Sequence, residues 1–234
     1  MPNQALSLPS YFSLWAKTSE NSAGASYHPL PYHLLDVAAV AERLLEANRF
    51  LPRFAEARGL DCDALRRFVL LLVALHDIGK ASTIFQWTLP DAAERLANAG
   101  FGRPQPVISA RHGAITACYL AAKGHWCAPF DAIFNQCAPG LPPSHIGHLV
   151  HPVAGHHGRP VKAVEIEGNM LRANAPFLAA AGALARDIAS LLGARPLGGP
   201  LFRRDREAAA FSWFLSALIP VSDWIGSNQA WFPP

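Results

Sequence analysis

From Phe68 to Leu75 the chain runs through eight consecutive apolar residues straight into the polar pair His76-Asp77. Leu65, Val69, Leu72 and His76 recur on one stripe, which predicts a helix that Asp61 or Asp63 can cap and Gly79 can end. The same spacing predicts an amphipathic helix over Leu34 to Leu51, with His33, Val37, Val40 and Leu44 on its inner face. Ser109 can cap a third helix, on which His112, Ile115 and Tyr119 share a face. Asp91 to Ala99 is a short helical candidate, followed by a Gly-Pro loop at Gly102 to Pro106. Ala138 to Ser144 reads as a Pro-rich loop, and the histidine-rich stretch after it closes with Gly155-His156-His157-Gly158. Met170 to Leu192 is a further helical segment, and Gly193 to Pro200 breaks the chain. The last helix, Phe211 to Ile225, is almost wholly apolar except at Asp223.

In this pattern His33, His76, Asp77, His112, His156, His157 and Asp223 are carried toward the core, where an unpaired polar group is costly. A metal ion compensates such groups, because neutral imidazole donates a nitrogen lone pair and a carboxylate has two oxygens that can bridge two cations. Pro220 removes a helical hydrogen bond shortly before Asp223, so a kink that displaces this carboxylate is expected. His28, His125, His145, His148 and His151 are assigned to the surface or to loops, although His148 and His151 share a spacing that a metal can use.

Composition adds limits. At 234 residues the chain suits one large domain or two small ones, and 51% hydrophobic content rich in Ala and Leu favours helix. A net charge of +3 and a pI near 8.8 permit a polyanionic partner without requiring one. Cys62, Cys118, Cys127 and Cys137 form no C-x-x-C pair, so four reduced thiols are expected. No apolar run is read as membrane-spanning, since Arg186 and Asp187 interrupt Phe177 to Leu192. With no secretory signal in Met1 to Ser10, a cytoplasmic location is expected. A phosphate-binding G-x-x-x-x-G-K-[ST] loop is absent from the sequence, which argues against an ATPase.

The order H…HD…H…HH…D resembles the HD-domain metallohydrolase superfamily. More specifically, the chain resembles the HD nuclease domain of the CRISPR-associated type I nuclease-helicase. The closer resemblance rests on Tyr32-His33-Leu34-Leu35-Asp36-Val37-Ala38, Ala74-Leu75-His76-Asp77-Ile78-Gly79-Lys80, Phe85-Gln86, Gly155-His156-His157-Gly158 and Ser222-Asp223-Trp224-Ile225-Gly226-Ser227. It implies an all-α helical bundle with a metal site in its core cleft, forming a single HD domain over residues 1–234. Relatives continue into an ATP-driven helicase, which is then expected in cis or in trans, and Trp231 and Phe232 mark a patch where it could dock.

By the same resemblance, His33, His76, Asp77 and Asp223 hold one divalent ion, and Asp77 bridges to a second held by His112, His156 and His157. Lys80 is the lysine that reaches a phosphate oxygen, while Arg111 and Arg159 flank the ligands as candidate nucleic-acid contacts. Two cations that bind phosphate oxygens and lower the pKa of a bridging water would supply charge neutralisation and nucleophile together. A histidine-rich donor set favours Mn, Fe, Co, Ni or Zn, with Mg also possible. The implied substrate is single-stranded DNA, opened by a CRISPR RNA-guided surveillance complex. Two other readings share these residues: an HD phosphohydrolase acting on nucleotides or cyclic dinucleotides, and a catalytically inactive, metal-stabilised docking module of that complex.

Overall fold

Pro31 lies in the first turn of α1 (Leu30–Glu46), where its missing N–H has no helical partner to lose. The computed structural model describes residues 8–18, 27–102, 111–159, 161 and 175–233, and most of them are helical. The buried face of α1 runs Leu30, His33, Leu34, Val37, Ala38, Ala41 and Leu45. Leu44, expected on that face, is instead exposed, because 3.6-residue periodicity carried on from Val37 and Ala41 arrives at Leu45. The single helix expected over Leu34 to Leu51 is two. Asn48 Oδ1 accepts hydrogen bonds from the amides of Phe50 and Leu51 at 2.9 and 3.1 Å, starting α2 (Phe50–Arg58).

Asp61 caps α3 (Cys62–Ala74), accepting from the Ala64 amide at 2.9 Å. This helix stops at Ala74, and the chain tightens into a 3-10 segment, Leu75–Lys80. The dyad therefore sits on a tight turn, and Gly79 does not end the α-helix as expected. Then come α4 (Thr83–Gln86), α5 (Ala93–Asn98), α6 (His112–Leu120), α7 (Asp131–Cys137), α8 (Pro143–Ala154), α9 (Ala175–Leu191) and α10 (Asp205–Gly226). Two small antiparallel ladders, not anticipated from sequence, pair β1 (Trp15–Thr18) with β2 (Tyr27–Pro29) and β3 (Ala121–Ala122) with β4 (His125–Trp126). Ser109, Pro106 and Met170 lie outside the described residues.

Around the 3-10 segment, α6 packs on the turn itself, α8 lies against both α6 and α10, and α1 packs on α3 and α10. Two of these approaches need glycine. A Cβ on Gly79 would overlap the His112 carbonyl oxygen and the Thr116 amide nitrogen of α6. One on Gly113 would press into the Ala154 carbonyl oxygen at the end of α8. Backbone meets backbone at both places, so the dyad turn, α6 and the end of α8 form one tightly joined unit.

α10 runs through Pro220 without interruption. Its inner stripe of Phe211, Leu215, Leu218, Ile219 and Ser222 is buried, while Trp213 and Trp224 are 78% and 80% exposed. The C-terminal aromatics therefore divide: Phe211 is core, whereas Trp213, Trp224 and Trp231 face outward, Trp231 within the patch expected to be exposed. By length and composition α10 is also long and apolar enough to cross a membrane, which corrects the expectation that no segment qualifies. Its inner stripe belongs to the same core as α3 and α8. All four cysteines are free.

Candidate metal centre

Two helices end in the same local pattern, Val73-Ala74-Leu75-His76 after α3 and Val153-Ala154-Gly155-His156 after α8. The last carbonyls of a helix have no intrahelical partner, so each can accept from a side chain just beyond the end. His76 Nδ1 donates to the Val73 carbonyl at 2.9 Å, and His156 Nδ1 donates to the Val153 carbonyl at 2.8 Å. Both rings are thereby oriented, and both present Nε2 to the interior. Asp77 between them adopts φ −108°, ψ 16°, the sparsely populated bridge region of backbone space.

The two oxygens of Asp77 face different partners. Oδ2 lies 2.9 Å from His33 Nε2, 3.4 Å from His76 Nε2 and 2.6 Å from Lys80 Nζ. Oδ1 lies 3.2 Å from His112 Nε2 and 3.1 Å from His156 Nε2. Asp223 closes the first side, with Oδ1 3.4 Å from His76 Nε2 and 3.9 Å from His33 Nε2. His157 closes the second, its Nε2 2.9 Å from His112 Nε2. The structure thus brings all seven residues singled out in the sequence into two groups, His33-His76-Asp77-Asp223 and Asp77-His112-His156-His157, whose ligand atoms lie within 4.8 Å of one another. The displacement of Asp223 expected from Pro220 is not found.

The donor set fits divalent ions. Metal bonds to imidazole nitrogen and carboxylate oxygen are about 2.0–2.2 Å long, which puts neighbouring ligand atoms roughly 3–3.5 Å apart, the spacing seen here. His76 Nε2, Asp77 Oδ1 and His156 Nε2 are buried without a well-aligned hydrogen bond, a costly state that coordination would relieve.

The profile of the family described as Cas3, HD domain matches residues 15–232. This chain belongs to the Cas3 HD domain family. It is 31% identical over 227 residues to the CRISPR-associated endonuclease/helicase Cas3 of Thermus thermophilus, covering 94% of this chain and 22% of that protein. The crystal structure of the Thermus thermophilus Cas3 HD domain in the presence of Ni2+ is similar at a TM-score of 0.62 and 27% identity, covering 95% of this chain and 79% of that one. A crystal structure of a CRISPR-associated protein is similar at a TM-score of 0.76 and 28% identity, covering 95% of this chain and 23% of that one. The chain spans about a fifth of the length of the curated relatives it matches. The family and the all-α fold expected from the motifs are therefore the ones found.

Burial and charge act in opposite directions on the Cas3 HD cluster. Burial dominates for His33 and holds it down to about 3. His76 is equally buried, but the adjacent Asp77 charge and the Asp223 carboxylate outweigh burial and lift it to about 9. Burial would raise Asp77, yet the charges of Lys80 and His76 and the His112 and His156 rings hold it well below the usual carboxylate range. Asp223 is lowered too, with His76 and the Ser227 hydroxyl overcoming burial. His157 is lowered by burial and by the neighbouring His156 and His112.

These shifts predict a stability maximum for the metal-free domain near pH 6.5, the ordinary imidazole value. The raised His76 contributes stability that is fully present below 6.5 and lost as the pH climbs through about 9. Below 6.5 the unfolded chain protonates His33 while the folded one resists until about 3, so stability falls on that side as well. Urea midpoints measured against pH check this. In His76→Gln the decline between pH 6.5 and about 8 should disappear, and its persistence in that window would remove His76 as its source.

Lys80 is not at a solvated helix end. It is buried, holds Asp77 Oδ2, and lies 5.5 Å from the Phe85 ring centroid. Arg111 and Arg159 are both exposed and, with His112 and His157, line a cleft of about 80 Å³ beside the second group. A larger hollow, about 610 Å³ and bordered by Ser10, Ser13, Glu94 and Arg95, has none of the metal-ligating set in its lining. Two histidines assigned to the surface are buried instead: His28 pairs with Asp36 at 2.8 Å and His145 with Asp205 at 2.9 Å, each partner a carboxylate from another element. His151 is exposed on α8 and His148 half-buried there, and neither joins a metal-holding group among the described residues.

Thr116 was not anticipated. Its hydroxyl accepts from the Gly79 amide at 2.9 Å and donates to the His76 carbonyl at 3.2 Å, pinning the dyad turn to α6. A threonine on an apolar helix carries no distinguishing signal in sequence, whereas Ser227, which donates to Asp223 Oδ1 at 2.7 Å, lay within a recognised motif.

Proposed function

We propose that this chain is a single HD domain over residues 1–234 that hydrolyses phosphodiester bonds of single-stranded DNA in CRISPR type I interference, using two divalent ions. The observation that carries this reading is the division of Asp77: one carboxylate belongs to both donor groups, one oxygen facing each. His33, His76 and Asp223 would hold the first ion with Asp77, and His112, His156 and His157 the second. When bound, such a pair neutralises phosphate oxygens and supplies a nucleophilic water at neutral pH. Imidazole donors favour Mn, Fe, Co, Ni or Zn over Mg, and the similarity to a domain crystallised in the presence of Ni2+ supports a transition metal.

The protein's own share is positional. The Val73 and Val153 carbonyls fix the His76 and His156 rings, and Ser227 orients Asp223. Lys80, held at Asp77, places a cation at the edge of the first group, where a phosphate oxygen can share it. Arg111 and Arg159 border the second group and would guide the strand's backbone. The surveillance complex and a helicase, in cis or in trans, belong to the same proposal; the curated relative is named an endonuclease/helicase and is several times longer than this chain.

The decisive test combines elemental analysis with parallel assays on single-stranded DNA and a panel of nucleotides and cyclic dinucleotides. DNA cleavage that requires a transition metal is expected. Turnover confined to the small substrates would replace the nuclease with a phosphohydrolase, and metal binding without any turnover would leave a docking module.

A further inference from the structure

Lys17 is on β1, half-buried, and its Nζ is withdrawn from solvent with no hydrogen-bond acceptor among the described residues. An ammonium in that position is costly unless a counter-charge is held beside it. The carboxylates whose charge it feels, Asp223, Asp77 and Asp36, all have other partners. Asp36 pairs with His28, Asp77 with Lys80 and His33, and Asp223 with Ser227 and His76. The cation whose charge it feels is Lys80, which repels it.

This juxtaposition of two lysines is built in. The buried Gln86 side chain accepts from the Trp15 amide at 3.0 Å, donates to the Trp15 carbonyl at 2.8 Å and donates to the Lys80 carbonyl at 2.9 Å. The Trp15 indole N–H returns a bond to the Gln86 carbonyl at 3.0 Å. Both hydrogens of one buried amide thus join the strand that carries Lys17 to the turn that carries Lys80. Burial and the Lys80 charge push Lys17 down to about 8, with the three carboxylates resisting, so it is still an ammonium at neutral pH.

We infer that Lys17 and Lys80 form a paired cation site for a phosphate group beside the first metal-holding set, with Lys17 making a phosphate contact that no carboxylate of the protein satisfies. The inference rests on the phosphodiester reading above and names a residue on a strand well outside the HD motifs. A lysine kept only for its packing would accept methionine in its place at no cost to ligand binding.

The test uses dimethyl phosphate, an uncleaved phosphodiester anion, titrated into the nickel-loaded full chain and followed by 31P NMR relaxation. Lys17→Met should weaken its binding about ten-fold or more, the loss expected for one hydrogen bond between charged groups. Lys17→Arg should restore most of that affinity, with nickel content unchanged in both variants, and the thermal midpoint of Lys17→Met should rise or hold, because the substitution removes an ammonium that burial and Lys80 disfavour. Equal affinity in wild type and Lys17→Met would overturn the inference, as would a loss of nickel in Lys17→Met, because Lys17 would then act on the metal site. The titration needs no turnover, so it still decides the role of Lys17 if the chain proves not to cleave DNA.

Discussion

Asp77→Ala should lose metal-dependent cleavage by at least about 10³-fold while its far-UV circular dichroism remains that of a helical protein. The size follows from what the ions contribute, several kcal/mol of transition-state charge stabilisation, with each ~1.36 kcal/mol worth about ten-fold in rate. Asp77 is the residue through which both donor groups pass, so its removal depletes both at once. Stability should suffer as well. Lys80, now 2.6 Å from Asp77 Oδ2, would be left as a buried ammonium without its partner, a loss on the order of 3–5 kcal/mol. Asp77→Asn keeps the shape and leaves Lys80 an oxygen to donate to but no counter-charge, so it should retain more of the stability than Asp77→Ala while losing cleavage as fully. Oligonucleotide cleavage with manganese, read beside elemental analysis and thermal melting, checks the prediction. Retained manganese-dependent cleavage by the alanine variant would take Asp77 out of the chemistry.

The second large effect comes from a residue with no side chain. Gly79→Ala should destabilise the domain by about 3 kcal/mol or more, the upper range for overpacking, and weaken metal binding with it. The added methyl would overlap the His112 carbonyl and the Thr116 amide, both backbone groups of α6, so no side-chain rotation can relieve it. Either the dyad turn or the start of α6 must move, and these two segments carry His76, Asp77 and His112. Gly147→Ala provides the contrast. That glycine is inside α8 with nothing within 4 Å of an added Cβ, so the substitution should be neutral or stabilise by up to about 1 kcal/mol. Urea unfolding of the two variants side by side decides it, and equal midpoints would show that the close approach is not rigid.

How far the site could be read before the fold was known differs from residue to residue. His33 and Asp223 were legible because a polar group on an apolar helical stripe is expensive, and that expense is visible in one dimension. The HD pair and the doubled histidine carried a family resemblance as well. Thr116 and Gln86 show the opposite case. Their roles come from hydrogen bonds to backbone groups distant in the chain, the His76 carbonyl and the Trp15 amide among them, and no spacing rule reports such partners. The break between α1 and α2 was missed for a local reason: Asn48 supplies a cap inside a stretch whose hydrophobic period continues past it. Pro220 was weighed in the wrong direction. A proline removes one hydrogen bond, and the buried stripe of α10 against α8 and α1 holds the helix through it.

By itself the sequence determined the chemistry of the donors and the helical framework that carries them, since residue type and hydrophobic period are properties of the chain alone. Tertiary structure decided the rest: that Asp77 turns one oxygen to each donor group, that Lys80 lies against it, and that Gln86 ties the strand of Lys17, which no motif includes, to the turn of Lys80. The physical reason is that direction and distance between segments are set by packing. A glycine that lets two backbones touch, or a helix end that frees one carbonyl, fixes where a side chain points only once its neighbour is in place.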